Sequence, residues 1–255
     1  MAGSAWESRG RKATSFARLV LVELRKLGGT VSDRLLLVLA PIALVAVSVV
    51  AGQTLQPSPT SAGAQIAYPM LISRFAQVLL FTAALKTFSG EWHYRSVQLT
   101  LLLQPNRRRY LSAQFVAVLV LWLVSALVEF AICYTLTSAH VRSTPFQDFI
   151  GPRPFWVLGV TLLATLLTLL FVLCIALLVP NPTAAVTVYL LTTALFSYLF
   201  RFVQAEWVGY IDPWQLAGAA TTTTHAKLLP TLVSLVLLLG ALVTGLVLFG
   251  RRDAT

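Results

Sequence analysis

Residues 88–114 read FSGEWHYRSVQLTLLLQPNRRRYLSAQ, a charged interruption between two long apolar stretches. Glu91, His93, Arg95 and the run Arg107, Arg108, Arg109 cannot rest in hydrocarbon, because a charge at a bilayer centre costs about 2.5 to 3.5 kcal/mol even on the mildest scales. The segment therefore belongs in water or among headgroups, and the apolar stretches on either side read as helices that carry the chain into and out of a membrane.

Composition agrees. Hydrophobic residues make up 57% of the chain and charged residues 11%, with a mean hydropathy of +0.80, where a soluble domain carries roughly 25% charged residues. The reading is an all-α integral membrane protein, one membrane domain over 1–255. Apolar runs long enough for a bilayer of about 30 Å fall at 35–55, 67–88, 110–137, 155–179, 184–203 and 228–249, six transmembrane helices in all. Asn106 suits the cap of the third, Pro180 stops the fourth, and Asn181 followed by Pro182 suits the start of the fifth. Pro41 and Pro69 are expected to kink or start their helices.

The net charge of +10 belongs to topology rather than to nucleic acid, since the basic residues flank apolar spans instead of interleaving with aromatics on a soluble face. With the N terminus inside, the cytoplasmic side collects Arg9, Arg11, Lys12, Arg18, Arg25, Lys26, Arg34, Lys86, Arg95, Arg107, Arg108, Arg109, Arg251 and Arg252. The outer side holds Arg142, Arg153, Arg201 and Lys227, and Arg74 falls within the second span. This asymmetry places the chain in the cytoplasmic membrane, multi-pass, with both termini cytoplasmic. A cleaved signal peptide fits the first span poorly, because its apolar stretch exceeds a signal core of about 7 to 15 residues and a long polar segment precedes it. Cys133 and Cys174 lie in apolar runs and read as small packing residues.

Before the first span, 13–27 reads as an amphipathic helix. Phe16, Ala17, Val20, Leu21, Leu24 and Leu27 share an arc of about 140°, with Arg18 and Arg25 opposite and Glu23 and Lys26 flanking. Such a helix lies flat at the lipid interface, against membrane lipid; the alternative is a cytoplasmic extension of the first span. The segment 91–104 also suits a short helix, with Glu91 and Arg95 at the favourable i, i+4 spacing, Gln98 on their side, and Trp92, Leu99 and Leu103 on another. Pro105 ends it.

Two charges fall inside spans. Arg74 and Glu129 lie at matched depth on consecutive antiparallel helices, so an intramembrane charge pair is expected, either as a structural clamp or as part of a gate. The outer connections are short apart from 204–227, whose Trp207, Tyr210 and Trp214 suit either an interfacial anchor or small surface helices. No catalytic or metal-binding constellation is legible, since His93, His140 and His225 are isolated and neither a metalloprotease nor a serine-nucleophile motif occurs. The sequence also lacks the Gly-rich phosphate loop of an ATPase.

These residues resemble one family. Glu23-Leu24-Arg25-Lys26 before the first span, Gly90-Glu91 after the second, the Leu99 to Leu103 run, and Pro105-Asn106-Arg107-Arg108 entering the third are similar to motifs of the permease subunits of type-two ATP-binding-cassette exporters. Gln114 stands where that family commonly has Lys, and Tyr94 to Ser96 replace a His-Gly-Thr-like turn. The resemblance implies that 91–104 is a coupling helix in a groove of a separate ATPase subunit, with Glu91, Trp92, Arg95 and Gln98 in contact. It further implies a second permease copy, identical or related, and ATP and Mg²⁺ bound by the partner, so this chain holds no cofactor and is not an enzyme. The implied activity is export of an amphipathic or hydrophobic compound by alternating access. A secondary transporter or channel of similar size, and a membrane immunity or scaffold protein without transport, are the alternatives.

Overall fold

The computed structural model describes residues 15–55, 61–93, 107–143, 153–198, 208–211 and 228–251, and the regular structure among them is helical. The first helix, α1 (Phe16–Lys26), is capped by Ser15, whose Oγ accepts from the Arg18 amide, and ends with Arg25 and Lys26 in its last turn, where cations favour the helix dipole. Gly28 and Gly29 separate it from α2 (Val31–Thr54). Thr30 caps α2 through the Asp33 amide, and the Arg34 side chain ties back to the Gly28 carbonyl at 2.8 Å. α1 is thus a separate helix and not an extension of the first span.

The stretch expected as one second span is two helices, α3 (Ser61–Phe75) and α4 (Val78–His93), bent by 43° at Ala76–Gln77. α5 (Arg107–Arg142) is a single helix that runs beyond the expected end of the third span. α6 (Pro154–Leu178) opens with Pro at its first position and stops before Val179-Pro180, a pair that disfavours helical backbone. α7 (Pro182–Tyr198) begins where Asn181 Oδ1 accepts from the Thr183 amide at 3.0 Å. A single turn, α8 (Val208–Ile211), and α9 (Leu228–Arg251) complete the described chain.

α2, α5 and α6 are each long and apolar enough to cross a membrane, and the bent pair α3–α4 is so when taken together as one span. α7 and α9 carry shorter apolar stretches, 182–196 and 232–248. Length and composition in the structure therefore support up to four crossings, against six expected from the sequence. The protein is a multi-pass, membrane-embedded helical bundle. Its outer surface is apolar: Leu35, Val38, Ile42 and Val49 on α2, Leu123, Val124 and Leu127 on α5, and Val236 and Val243 on α9 are exposed, as lipid contact requires.

α6 is the axis of the bundle. Of its most apolar window 72% is buried, against 22% for α2 and for α5, and it packs on α3, α4, α5, α7 and α9. Thr161, Thr165 and Thr168 lie buried on it without breaking it, because each hydroxyl donates to the carbonyl four residues back, at 2.8 to 2.9 Å. Of the apolar clusters around this axis, two lie on either side of the break between α3 and α4. One joins Phe81, Leu85, Leu169, Leu173 and Tyr189, and the other joins Leu44, Tyr68, Ile72, Cys133 and Val157.

α9 packs along α6, with Leu238 beside Ala164, Leu167 and Cys174, and comes closest at a glycine. A Cβ placed at Gly245 would stand 2.9 Å from the Leu177 Cβ, so this position requires the missing side chain. Gly159, with nothing within 4 Å of an added Cβ, has no such requirement. Gly245→Val is expected to lower the stability of the solubilised protein by about 1–3 kcal/mol through overpacking, read by thermal unfolding in detergent. Gly159→Ala is expected to be neutral or mildly stabilising, as for a helix-interior glycine.

Candidate functional site

Helices built almost wholly of Leu, Val and Ala gather their polar side chains in a layer between the two apolar clusters. The layer forms where α3 and α4 break, because Gln77 sits in the break and Ser73 lies one turn before it. Both side chains face α5, and both engage Glu129. Ser73 Oγ is hydrogen-bonded to Glu129 Oε1 at 2.5 Å, and Gln77 Nε2 donates to Glu129 Oε2 at 2.5 Å. Glu129 and Ser73 have no solvent exposure and Gln77 has 2%. By helix rise Glu129 lies about 20 Å from Arg142, at one end of α5, and about 33 Å from Arg107 at the other.

The layer extends to α6. Ser125 Oγ contacts Gln77 Oε1 at 3.3 Å and the Trp122 carbonyl at 2.8 Å, while Trp122 Nε1 donates to Thr165 Oγ1 at 3.0 Å. A chain of neutral groups from three neighbouring segments thus converges on one carboxyl. Buried polar groups are tolerated in hydrocarbon only when satisfied in this way.

The sequence brought Arg74 and Glu129 to matched depth, and the structure brings their two helices together. The hydrogen-bond partners of Glu129 are nevertheless Ser73 and Gln77, and Arg74 is not among them. Among the described residues no ion pair includes Glu129. The reason is angular: Ser73 and Gln77 are four residues apart and share a helix face, whereas Arg74 lies about 100° around from Ser73. A Ser-x-x-x-Gln pair opposite an intramembrane Glu was the signal available in the sequence.

Beside the break lies a half-open apolar recess of about 170 Å³, bounded by Pro41 and Leu44 of α2, Leu80 of α4 and Val128 of α5, with Gln77 and Ser125 on its wall. Its size is similar to the cavity of about 150 Å³ that accepts a benzene ring. A separate, larger recess of about 650 Å³ opens between α2, α4 and the start of α7, where Lys26, Asp33, Lys86 and Thr183 stand among apolar groups such as Leu36 and Val186.

Two ion pairs include residues of the larger recess. Lys86 Nζ reaches Asp33 Oδ1 at 2.8 Å and Ser32 Oγ at 3.1 Å, tying α4 to α2. Lys26 Nζ reaches Glu23 Oε1 at 2.7 Å and donates to the Tyr110 hydroxyl at 3.3 Å, to which Gln114 Nε2 also donates at 3.0 Å. α1 therefore meets α5 with Glu23 and Leu27 buried, while Phe16 and Leu21 of its expected apolar face are exposed. Glu23 and Lys26, expected as flanking residues, are the ones that fasten α1 to the bundle.

Of the expected contacts with an ATPase, Glu91 and Trp92 lie in the last turn of α4, which continues to His93. Arg95 and Gln98, like the rest of 94–106, lie outside the described residues, as do Trp207 and Trp214. Tyr210 is in the single turn α8 and borders on exposed.

No family model matches the chain, and no curated protein or solved structure is detectably similar to it.

Gln77→Leu removes one donor from a buried carboxyl and is expected to cost about 1–3 kcal/mol, measured by thermal unfolding. Asp33 is only 5% exposed, so Lys86→Met, which strips it of its cation, is expected to cost about 1–3 kcal/mol, between exposed and buried ion pairs. The double variant Lys86→Met with Asp33→Leu should recover most of that loss, a coupling read from a double-mutant cycle.

Proposed function

We propose that the chain is the permease subunit of an ATP-driven exporter of the type-two ATP-binding-cassette class, moving an amphipathic or hydrophobic compound across the cytoplasmic membrane. In this reading α7 and α9 complete six crossings, both termini are cytoplasmic, and α1 is an interfacial helix. A separate ATPase subunit holds ATP and Mg²⁺, and a second permease copy, the same or related, faces this one.

The observation that carries the reading is the continuity of α4 through Gly90-Glu91 to His93. A rigid rod that starts at the break beside Glu129 and ends in the first residues of the segment 91–104 would convert a push at Glu91 and Trp92 into movement at the membrane-depth polar layer. The ion pair of Lys86 with Asp33 would pass the same push to α2. The larger recess between α2, α4 and the start of α7 supports the cargo class, since a lining that sets Lys26, Asp33 and Lys86 among apolar groups suits a molecule with a polar head and an apolar end.

A second reading draws on one observation. An acidic residue beside a broken helix within a bundle also occurs where ions drive transport, which favours a secondary transporter. Co-purification and flux separate the two. The exporter reading expects an ATPase subunit to accompany the chain from native membranes and to hydrolyse ATP faster in the complex. Glu91→Lys is expected to abolish that stimulation while the thermal unfolding of the permease shifts by no more than about 0.5 kcal/mol, as for a surface substitution. Flux in vesicles that follows a proton or sodium gradient without ATP would overturn it in favour of the second reading.

A further inference from the structure

Proton bookkeeping at the break leads beyond the transport reading and does not depend on it. Ser73 Oγ stands 2.5 Å from two oxygens, the Pro69 carbonyl and Glu129 Oε1. Each of these approaches requires a proton between the oxygens, because two lone pairs at that distance repel. A carbonyl only accepts, and a serine hydroxyl carries one proton. The Ser73 proton is directed to the Pro69 carbonyl four residues back, the geometry also adopted by Thr161, Thr165 and Thr168 on α6. The second proton must come from Glu129.

The other carboxyl oxygen fits this assignment. Glu129 Oε2 receives the Gln77 amide N–H, and the Gln77 carbonyl oxygen faces the Ser125 hydroxyl. One face of the carboxyl thus meets a group that can only take a proton, once Ser73 has spent its own, and the other meets a donor. A neutral carboxylic acid has that pattern of one donor and one acceptor. The surroundings carry little to balance a charge. On α5 the nearest titratable neighbour is Cys133, which lies near Glu129 and Thr161. α3 carries Tyr68 and Arg74, of which Arg74 is not among the carboxyl's hydrogen-bond partners. Asp33 of α2 and Lys86 of α4 pair with each other at the larger recess, and α6 has no Asp, Glu, His, Lys or Arg.

We propose that Glu129 is a proton-binding site: its carboxyl is a neutral acid that donates to Ser73 Oγ and accepts from Gln77, clasping the break between α3 and α4 to α5. The proton is part of the fastening. Its loss would set the carboxylate against the Ser73 oxygen and require the serine to abandon the Pro69 carbonyl, so the two halves of the broken span would be re-fastened in a different hydrogen-bond arrangement.

Infrared spectroscopy of the full chain in phospholipid nanodiscs at neutral pH tests this. The other acidic residues of the described chain, Glu23, Asp33 and Glu91, lie near helix ends away from this layer, so a protonated-carboxyl C=O stretch that moves in D₂O should be present in the wild type and absent from Glu129→Gln. Ser73→Ala keeps the acid and removes its acceptor, and should shift the same band to higher frequency without abolishing it. A wild type with no such band, a band that persists in Glu129→Gln, or a band unmoved in Ser73→Ala would each overturn the proposal. Should Glu129→Gln fail to fold, Glu129→Asp serves in its place, with a band displaced from the wild-type position expected and an unchanged one contrary.

Discussion

A carboxyl group enclosed in an apolar bundle must find every hydrogen-bond partner inside the protein, and the arrangement of the second, third and fourth membrane segments follows from that demand. Glu129 draws Ser73 and Gln77 onto one face, and Gln77 in turn occupies the break that separates α3 from α4. Ser125, Trp122 and Thr165 continue the same polar layer to α6. Without lipid-to-water transfer to drive helices together, directional hydrogen bonds and close packing decide which faces meet. The two apolar clusters on either side are large but permissive. The polar layer between them sets the register.

How far the sequence could be read depended on the range of the forces involved. Helix limits written by Pro180, Asn181 and Pro182 are local, and the structure ends α6 and begins α7 there. Gly28 and Gly29 likewise mark the end of α1. The bend at Ala76–Gln77 was not legible, because nothing within the apolar pattern of 67–88 marks a break; Pro69 lies two turns too early, and its helix passes through it. The hydrogen-bond partners of Glu129 were not legible for a similar reason. Matched depth identifies which helices face each other, but the choice of Ser73 and Gln77 over Arg74 is set by helix rotation, which apolar periodicity in a lipid-facing helix leaves poorly determined.

Charge near the membrane surface was read as topology, and part of it has a second role in packing. Lys26 and Lys86 each pair with a buried acid, Glu23 and Asp33; the Lys86 pair joins α4 to α2, while Lys26, paired within α1, reaches the Tyr110 hydroxyl of α5. The amphipathic pattern of α1 placed Glu23 beside the apolar arc, whereas the helix turns it toward Tyr110 and Gln114 and leaves Phe16 and Leu21 outward. The same helix therefore holds the bundle with its polar flank and offers an apolar flank to its surroundings.

The enclosure of α6 bears on the order in which the bundle is assembled. As an apolar segment it enters the bilayer readily, yet its final neighbours are helices. Those made before it, α3, α4 and α5, can receive it at once, but α7 and α9 emerge from the ribosome later. Until they arrive, one side of α6 is coated by acyl chains, and the glycine notch at Gly245 closes on Leu177 only after those chains have been displaced. α9, made after the helices it joins, thus also expels lipid from the centre, and a nascent chain stopped short of it would remain a bundle with its axis laid open along one flank.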